Sequence, residues 1–91
     1  MTEIHDTVAI CNARGLHARA AAKFVKMAES FKAEIMVEKD GSTVTGDCIM
    51  DLLMLGAAKG SEIRISATGP DAEKAVKALT ALVCEKFGED H

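Results

Sequence analysis

The sequence predicts an α+β protein, an open-faced two-layer β-sandwich in the order β-α-β-β-α-β-α, with a four-stranded antiparallel sheet and three helices on one face. Three observations predict it. Apolar residues alternate with polar ones in three separate segments, so each of those strands has one covered and one wet face. Two longer segments carry apolar residues at helical spacing instead. The composition of the 91 residues, 48% hydrophobic and 27% charged with seven Gly and one Pro, excludes collagen-like, low-complexity and disordered classes. A chain of this length buries about 60–65% of its unfolded surface, enough for one domain over residues 1–91 with a thin core. With three Phe and no Tyr or Trp, that core must come from Val, Ile, Leu, Met and Ala.

The first strand is expected over residues 4–11, where Val8 and Ile10 alternate with small or polar neighbours. Asn12–Gly15 reads as a loop. From Ala18 to Ser30 the chain is Ala-rich and free of Gly and Pro. Ala18, Ala21, Ala22, Val25 and Ala28 fall on one helical face, and Arg19, Lys23 and Lys26 lie away from it. Ala33, Ile35 and Val37 alternate with Glu34, Met36 and Glu38, a strand with one buried face. Asp40-Gly41 is a two-residue hairpin signal; Thr43, Val44 and Thr45 return from it until Gly46-Asp47 breaks the strand. Cys48–Leu55 is apolar and reads as a short helix closed by Gly56, with a strand as the alternative at that length. Ile63, Ile65 and Ala67 form the next half-buried strand. Gly69-Pro70-Asp71 then opens a helix, since Pro suits the first turn and Asp71 and Glu73 complement its positive end. Its apolar stripe is Ala75, Val76, Leu79, Leu82 and Val83, and Lys86 and Gly88 mark its end.

The formal net charge is −3, from 11 basic and 14 acidic residues, which argues against a broad nucleic-acid footprint. No apolar run approaches the ~20 residues that span a bilayer. The segment Met1–Asp6 lacks the basic start and apolar stretch of a signal peptide. A cytoplasmic protein is expected, with neither nucleic acid nor membrane as partner. Cys11, Cys48 and Cys84 form no C-x-x-C pair and read as reduced thiols packing as small residues. Their spacing gives a zinc site little support, and no metal is expected.

There is no P-loop, G-x-G-x-x-G, H-E-x-x-H or G-x-S-x-G in the chain. Of its three histidines, His5 near the start and His91 at the last position read as solvated surface residues. His17 differs, because it stands where Gly15-Leu16 meets the first helix. The backbone N–H groups of Ala18, Arg19 and Ala20 have no acceptors inside that helix and point at whatever anion occupies its start. The same partial positive charge disfavours imidazolium and keeps a ring nitrogen free as a nucleophile. Arg19 adds a cation that matches a phosphate bidentately. A nucleophile beside an anion site suits acceptance of a phosphoryl group; the competing reading is a helix-start His with no role beyond capping.

The run Asn12-Ala13-Arg14-Gly15-Leu16-His17-Ala18-Arg19, with the Ala-rich helix behind it, resembles the active-site segment of the HPr family, the histidine-containing phosphocarriers of the bacterial phosphoenolpyruvate-dependent phosphotransferase system. The element order, Leu55-Gly56 and the strand Ile63–Ala67 match the family pattern, so the resemblance covers nearly the whole chain. It implies that His17 takes a phosphoryl group on Nδ1 from phospho-enzyme I. Arg19 would then neutralise the group, and a histidine or cysteine of an enzyme IIA-type acceptor would receive it. No cofactor is implied for the domain, which is a carrier and not a self-sufficient enzyme. Two departures stand out. The family usually has Pro directly after the Arg, where this chain has Ala20, which adopts the same backbone angles and keeps a donor. Cys48 aligns with a serine that a dedicated kinase phosphorylates in some members, and a thiol cannot replace that substrate; Ser42, Thr43 and Thr45 are hydroxyls nearby.

A carrier needs a small apolar docking patch beside its phosphoryl site. Ile49, Leu52 and Leu53 can face the core together, while Met50 and Met54, four apart, share a neighbouring strip of adaptable side chains. The resemblance places docking on this helix at Ile49, Met50 and Leu53, with Met54 beside them. Lys23 and Lys26 extend a basic rim that steers acidic partners; the alternative for both is a solvated helix face. Two other functions compete with sugar uptake. One is a nitrogen-related phosphotransfer relay whose phosphorylation state is the signal. The other, from a different class, is a dimeric small-molecule-binding regulatory α+β domain. A monomer is expected for the carrier.

Overall fold

The structure is a computed structural model and describes residues 3–91. Its elements are β1 (Ile4–Ala9), α1 (Ala18–Glu29), β2 (Glu34–Lys39), β3 (Ser42–Thr45), α2 (Ile49–Met54), β4 (Glu62–Thr68) and α3 (Ala72–Cys84), with a 3₁₀ turn at Lys86–Gly88. The strands form one antiparallel sheet in the order β1-β4-β2-β3. Register follows from the alternation. Val8 pairs with Ile63 and Val37 with Ile65, so apolar residues of neighbouring strands meet on one face. Glu38, Arg64 and Thr7 line up on the other face, where Arg64 lies 3.7 Å from Glu38. Asp40 and Gly41 both take positive φ (50° and 84°), the backbone of a two-residue type I′ hairpin, which an Asp-Gly pair tolerates.

The core is a single cluster between the sheet and the helices. Ile10, Phe24, Val37, Leu52, Ile63, Ile65, Leu79, Val83 and Phe87 are buried essentially completely. In α1 the buried residues are Ala20, Ala21, Phe24, Val25 and Ala28, whereas Ala18 and Ala22 face solvent. The true stripe is thus rotated from the expected one, and Phe24 anchors it. Cys48–Leu55 is helix, not strand. β1 ends at Ala9, two residues short of expectation. Pro70 and Asp71 precede α3 instead of forming its first turn, and the Asp71 carboxylate accepts the Lys32 N–H at 2.8 Å. Cys11 and Cys84 are exposed and Cys48 is half-buried, so these thiols do not fill the core as expected. No helix among the described residues is long and apolar enough to cross a membrane.

Candidate functional site

His17 is the N-cap residue of α1, with an extended backbone (φ −84°, ψ −179°). Its carbonyl accepts the Ala21 N–H at 2.8 Å and so opens the helical ladder. The amides of Ala18, Arg19 and Ala20 lie ahead of that ladder, and the first turn holds no acidic residue to occupy the positive end of the helix. The preceding loop is fixed by a close approach. Gly15 has φ +66°, and a Cβ there would lie 2.5 Å from the Ala57 oxygen and 2.8 Å from the Ala58 Cα. Only glycine fits both demands. Leu16 is buried and donates its N–H to the same Ala57 oxygen at 2.8 Å. Gly and Leu before the histidine therefore clamp it to the chain that follows α2.

The imidazole is 22% exposed, and its Nε2 lies 2.5 Å from Oε2 of Glu89. Oε1 of Glu89 accepts from Nδ2 of Asn12 at 3.1 Å, and the same Nδ2 donates to the Gly15 carbonyl at 2.8 Å. Asn12 is fully buried and the sole buried polar residue among those described. The hydrogen bond from His17 holds the Glu89 carboxyl below its ordinary 4.5, and the bond from Asn12 lowers it further; partial burial opposes both, while the charges of His17 and Arg14 add to the lowering.

Glu89 reaches the ring because the chain end is pinned in place. Phe87 is completely buried, which contributes about 1.5–3 kcal/mol of anchoring. Nζ of Lys23 donates to the Phe87 carbonyl at 2.7 Å, and the Ala13 N–H donates to the His91 carbonyl. Lys86 and Phe87 both adopt positive φ (59° and 54°) to make this turn.

Together these residues line an open cleft of about 530 Å³ in which Arg14, Arg19 and Lys23 supply positive charge and Glu89 and Asp90 negative charge. Of the residues singled out by sequence, His17 and Arg19 line this cleft, whereas Ala18 and Ala20 do not. Lys23 lines the cleft, but its amine is committed to Phe87, and Lys26 lies exposed in the last turn of α1. His5 and His91 are both exposed, although His91 also lines the cleft. Reading the helix start alone left out the carboxylate on Nε2, which is 72 positions away in sequence. Asn12 and Arg14 lie inside the run that carries the family resemblance, which assigns neither of them a role; nothing local marks Glu89.

On α2, Leu52 is buried and Leu53 half-buried, but Ile49 is 39% exposed and does not join the core as expected. Met50 is 66% and Met54 80% exposed, so the large exposed apolar side chains among the described residues all lie on this helix. Cys48 is its N-cap residue and its thiol makes no capping bond.

Residues 4–85 match the family model described as "PTS HPr component phosphorylation site". The chain is 45% identical over 86 residues to phosphocarrier protein HPr of Neisseria meningitidis, covering 94% of this chain and 97% of that protein. It is 40% identical over 88 residues to phosphocarrier protein NPr of Escherichia coli, covering 96% and 98%. The crystal structure of HPr-C-His from Thermoanaerobacter tengcongensis superposes with a TM-score of 0.90 at 45% identity, over the whole of both chains. With the histidine at the helix start, the arginine two residues on and the shared open-faced sandwich, these matches establish that the chain belongs to the HPr family of phosphocarrier proteins of the phosphotransferase system.

Proposed function

We propose that this domain accepts a phosphoryl group from phospho-enzyme I on Nδ1 of His17 and passes it to an enzyme IIA-type acceptor in the cytoplasm, in sugar uptake or its regulation. The observation that carries this reading is the position of His17. Its imidazole stands at the start of a twelve-residue helix with no acid in its first turn, and Arg14, Arg19 and Lys23 line the same cleft. The amides of Ala18, Arg19 and Ala20 and the Arg19 guanidinium hold the phosphoryl oxygens, an arrangement that favours negative charge at a helix start. Transfer is in line. The Nδ1 lone pair forms the new N–P bond as the donor's P–N bond breaks, and the donor imidazole keeps that electron pair.

Ile49, Met50, Leu53 and Met54 form the docking patch, and the partner completes each active site. Lys26, with what remains free of Lys23, steers acidic partners. Cys48 leaves the position of the regulatory serine without a hydroxyl. The nitrogen-related branch is the second reading, favoured by the 40% identity to an NPr over nearly the whole chain.

Incubation with enzyme I, Mg²⁺ and phosphoenolpyruvate, followed by intact mass, tests the proposal. One added phosphoryl group is expected, labile in acid, stable in base and absent from His17→Ala. Full labelling of that variant would overturn it.

A further inference from the structure

A second groove opens at the end of α1 that lies away from His17. It has a volume of about 350 Å³ and forms where α1 runs out against the start of β2 and the end of β3. A twelve-residue helix spans about 18 Å, so this groove and the histidine cleft are separate sites that share no residue. Its floor is apolar and includes the buried Ile35 and the half-buried Phe31. Its rim is acidic: Glu29, Glu34 and Asp47 are exposed there, with Thr45 beside them. Close backbone packing fixes one wall. Gly46 donates its N–H to the Ile35 carbonyl at 2.7 Å, and a Cβ on it would lie 2.6 Å from Cγ2 of Ile35. Thr45 and Asp47, on either side of that glycine, are thereby held at the groove. At the other wall the Phe31 N–H donates to the Ala28 carbonyl at 3.3 Å, which turns the chain over the helix end.

The charges on the rim are uncompensated. None of the three carboxylates has an ion-pair partner among the described residues. Lys26 and Lys32, on either side of Glu29 in sequence, do not line the groove. The negative end of the α1 dipole adds to the same field. A cation relieves this repulsion. Among the described residues no three His, Cys, Asp or Glu side chains come together to hold a metal ion, so the cation that fits is organic, with an apolar stem for the floor and a charged head for the rim. An arginine side chain has that form. Its methylenes cover apolar surface, and its planar head bonds carboxylates in pairs and stacks on an aromatic ring such as Phe31.

We infer that this groove docks an arginine side chain from a basic protein partner, opposite in charge to the acidic partners that the histidine cleft draws. A protein surface fits better than a free cation because the rim runs into further apolar surface. Asp47 stands two residues before Ile49, and Ile49 and Met50 are exposed on the helix that follows. The groove stands apart from His17, so the inference does not depend on the transfer chemistry.

The test titrates the full chain with a capped Gly-Arg-Gly-Arg-Gly peptide and follows the backbone amides in ¹H–¹⁵N spectra at low salt, where exposed charges are least screened. Saturable shifts at Phe31, Glu34, Thr45 and Asp47 are expected, and none from the same peptide with Gln in place of Arg. Glu34→Gln and Asp47→Asn should each weaken binding about threefold, and the double variant about tenfold. Each should keep a Tm within about 4 °C of the parent and full phosphoryl uptake from enzyme I, because these exposed carboxylates hold nothing in the fold. The diamine 1,4-diaminobutane, which matches the two charges of the peptide without a planar head, should bind at least threefold more weakly. Shifts spread over all acidic positions, shifts confined to the histidine cleft, or an affinity unchanged in the double variant would overturn the groove as a site. A diamine that binds as tightly as the peptide would overturn the protein partner and leave a free polyamine as the occupant.

Discussion

Replacing Gly15 by Ala puts the geometry of the histidine loop to a direct test. Gly15 sits at φ +66°, where an L-residue costs about 1–2 kcal/mol. The added methyl would lie 2.5 Å from the Ala57 oxygen and 2.8 Å from the Ala58 Cα. Both obstacles are backbone, so no side chain can swing aside. Relief requires the loop to lift from the chain after α2, which lengthens the 2.8 Å bond from the Leu16 N–H to that oxygen and costs a further ~0.5–1.5 kcal/mol. The expected destabilisation is about 1.5–3.5 kcal/mol, or a Tm lower by about 6–28 °C for a domain of this size. Thermal and urea denaturation followed by circular dichroism measure it. The displaced loop carries His17, so phosphoryl acceptance should slow as well. A Tm within about 4 °C of the parent would show that the loop relaxes freely and that the clamp on His17 is not real.

Two further outcomes follow from the charged groups. The Glu89 carboxyl is depressed in the folded chain by the hydrogen bonds from His17 and Asn12, so it contributes stability that is present above its ordinary 4.5 and is lost as pH falls through the lower folded value. Urea midpoints at neutral and at acid pH should therefore drop less in Glu89→Gln than in the parent; equal drops would mean that the bonds do not bias the carboxyl. Arg19→Ala should fold with stability within about 0.5 kcal/mol of the parent, because the side chain is exposed at the cleft. Its transfer rate should fall about 10–100-fold, the equivalent of one charge-assisted hydrogen bond, and an unchanged rate would remove Arg19 from the mechanism.

Much of this fold could be read from periodicity. The strands around Ile35 and Ile65 alternate strictly because one face of the sheet packs under helices and the other is wet. The Asp40-Gly41 turn was legible because few pairs tolerate two successive positive φ angles. The stripe of α1 was placed off its true direction because alanines give little hydrophobic contrast and do not say which side of a helix is covered; Phe24, the bulky residue there, decides it. Likewise the short α2 could not be assigned by length, and its Ile49 faces outward because a six-residue helix has only Leu52 and Leu53 to spare for the core.

The candidate site divides in the same way. His17 and Arg19 are visible because the helix start and its cation are consecutive in sequence. Glu89 is not, since its arrival depends on Phe87 entering the core and on Lys86 and Phe87 both taking left-handed backbone angles that no residue type there announces. Asn12 looks like an ordinary loop residue until the tail closes over it.

The central claim is that Nδ1 of His17 is the acceptor atom while Nε2 is occupied by Glu89. Phosphorylation of ¹⁵N-histidine-labelled protein by enzyme I and phosphoenolpyruvate, read by ³¹P–¹⁵N coupling, tests it most directly. Coupling to Nδ1 of His17 alone is the expected result. Coupling to Nε2, or phosphorus on any other residue, would contradict it.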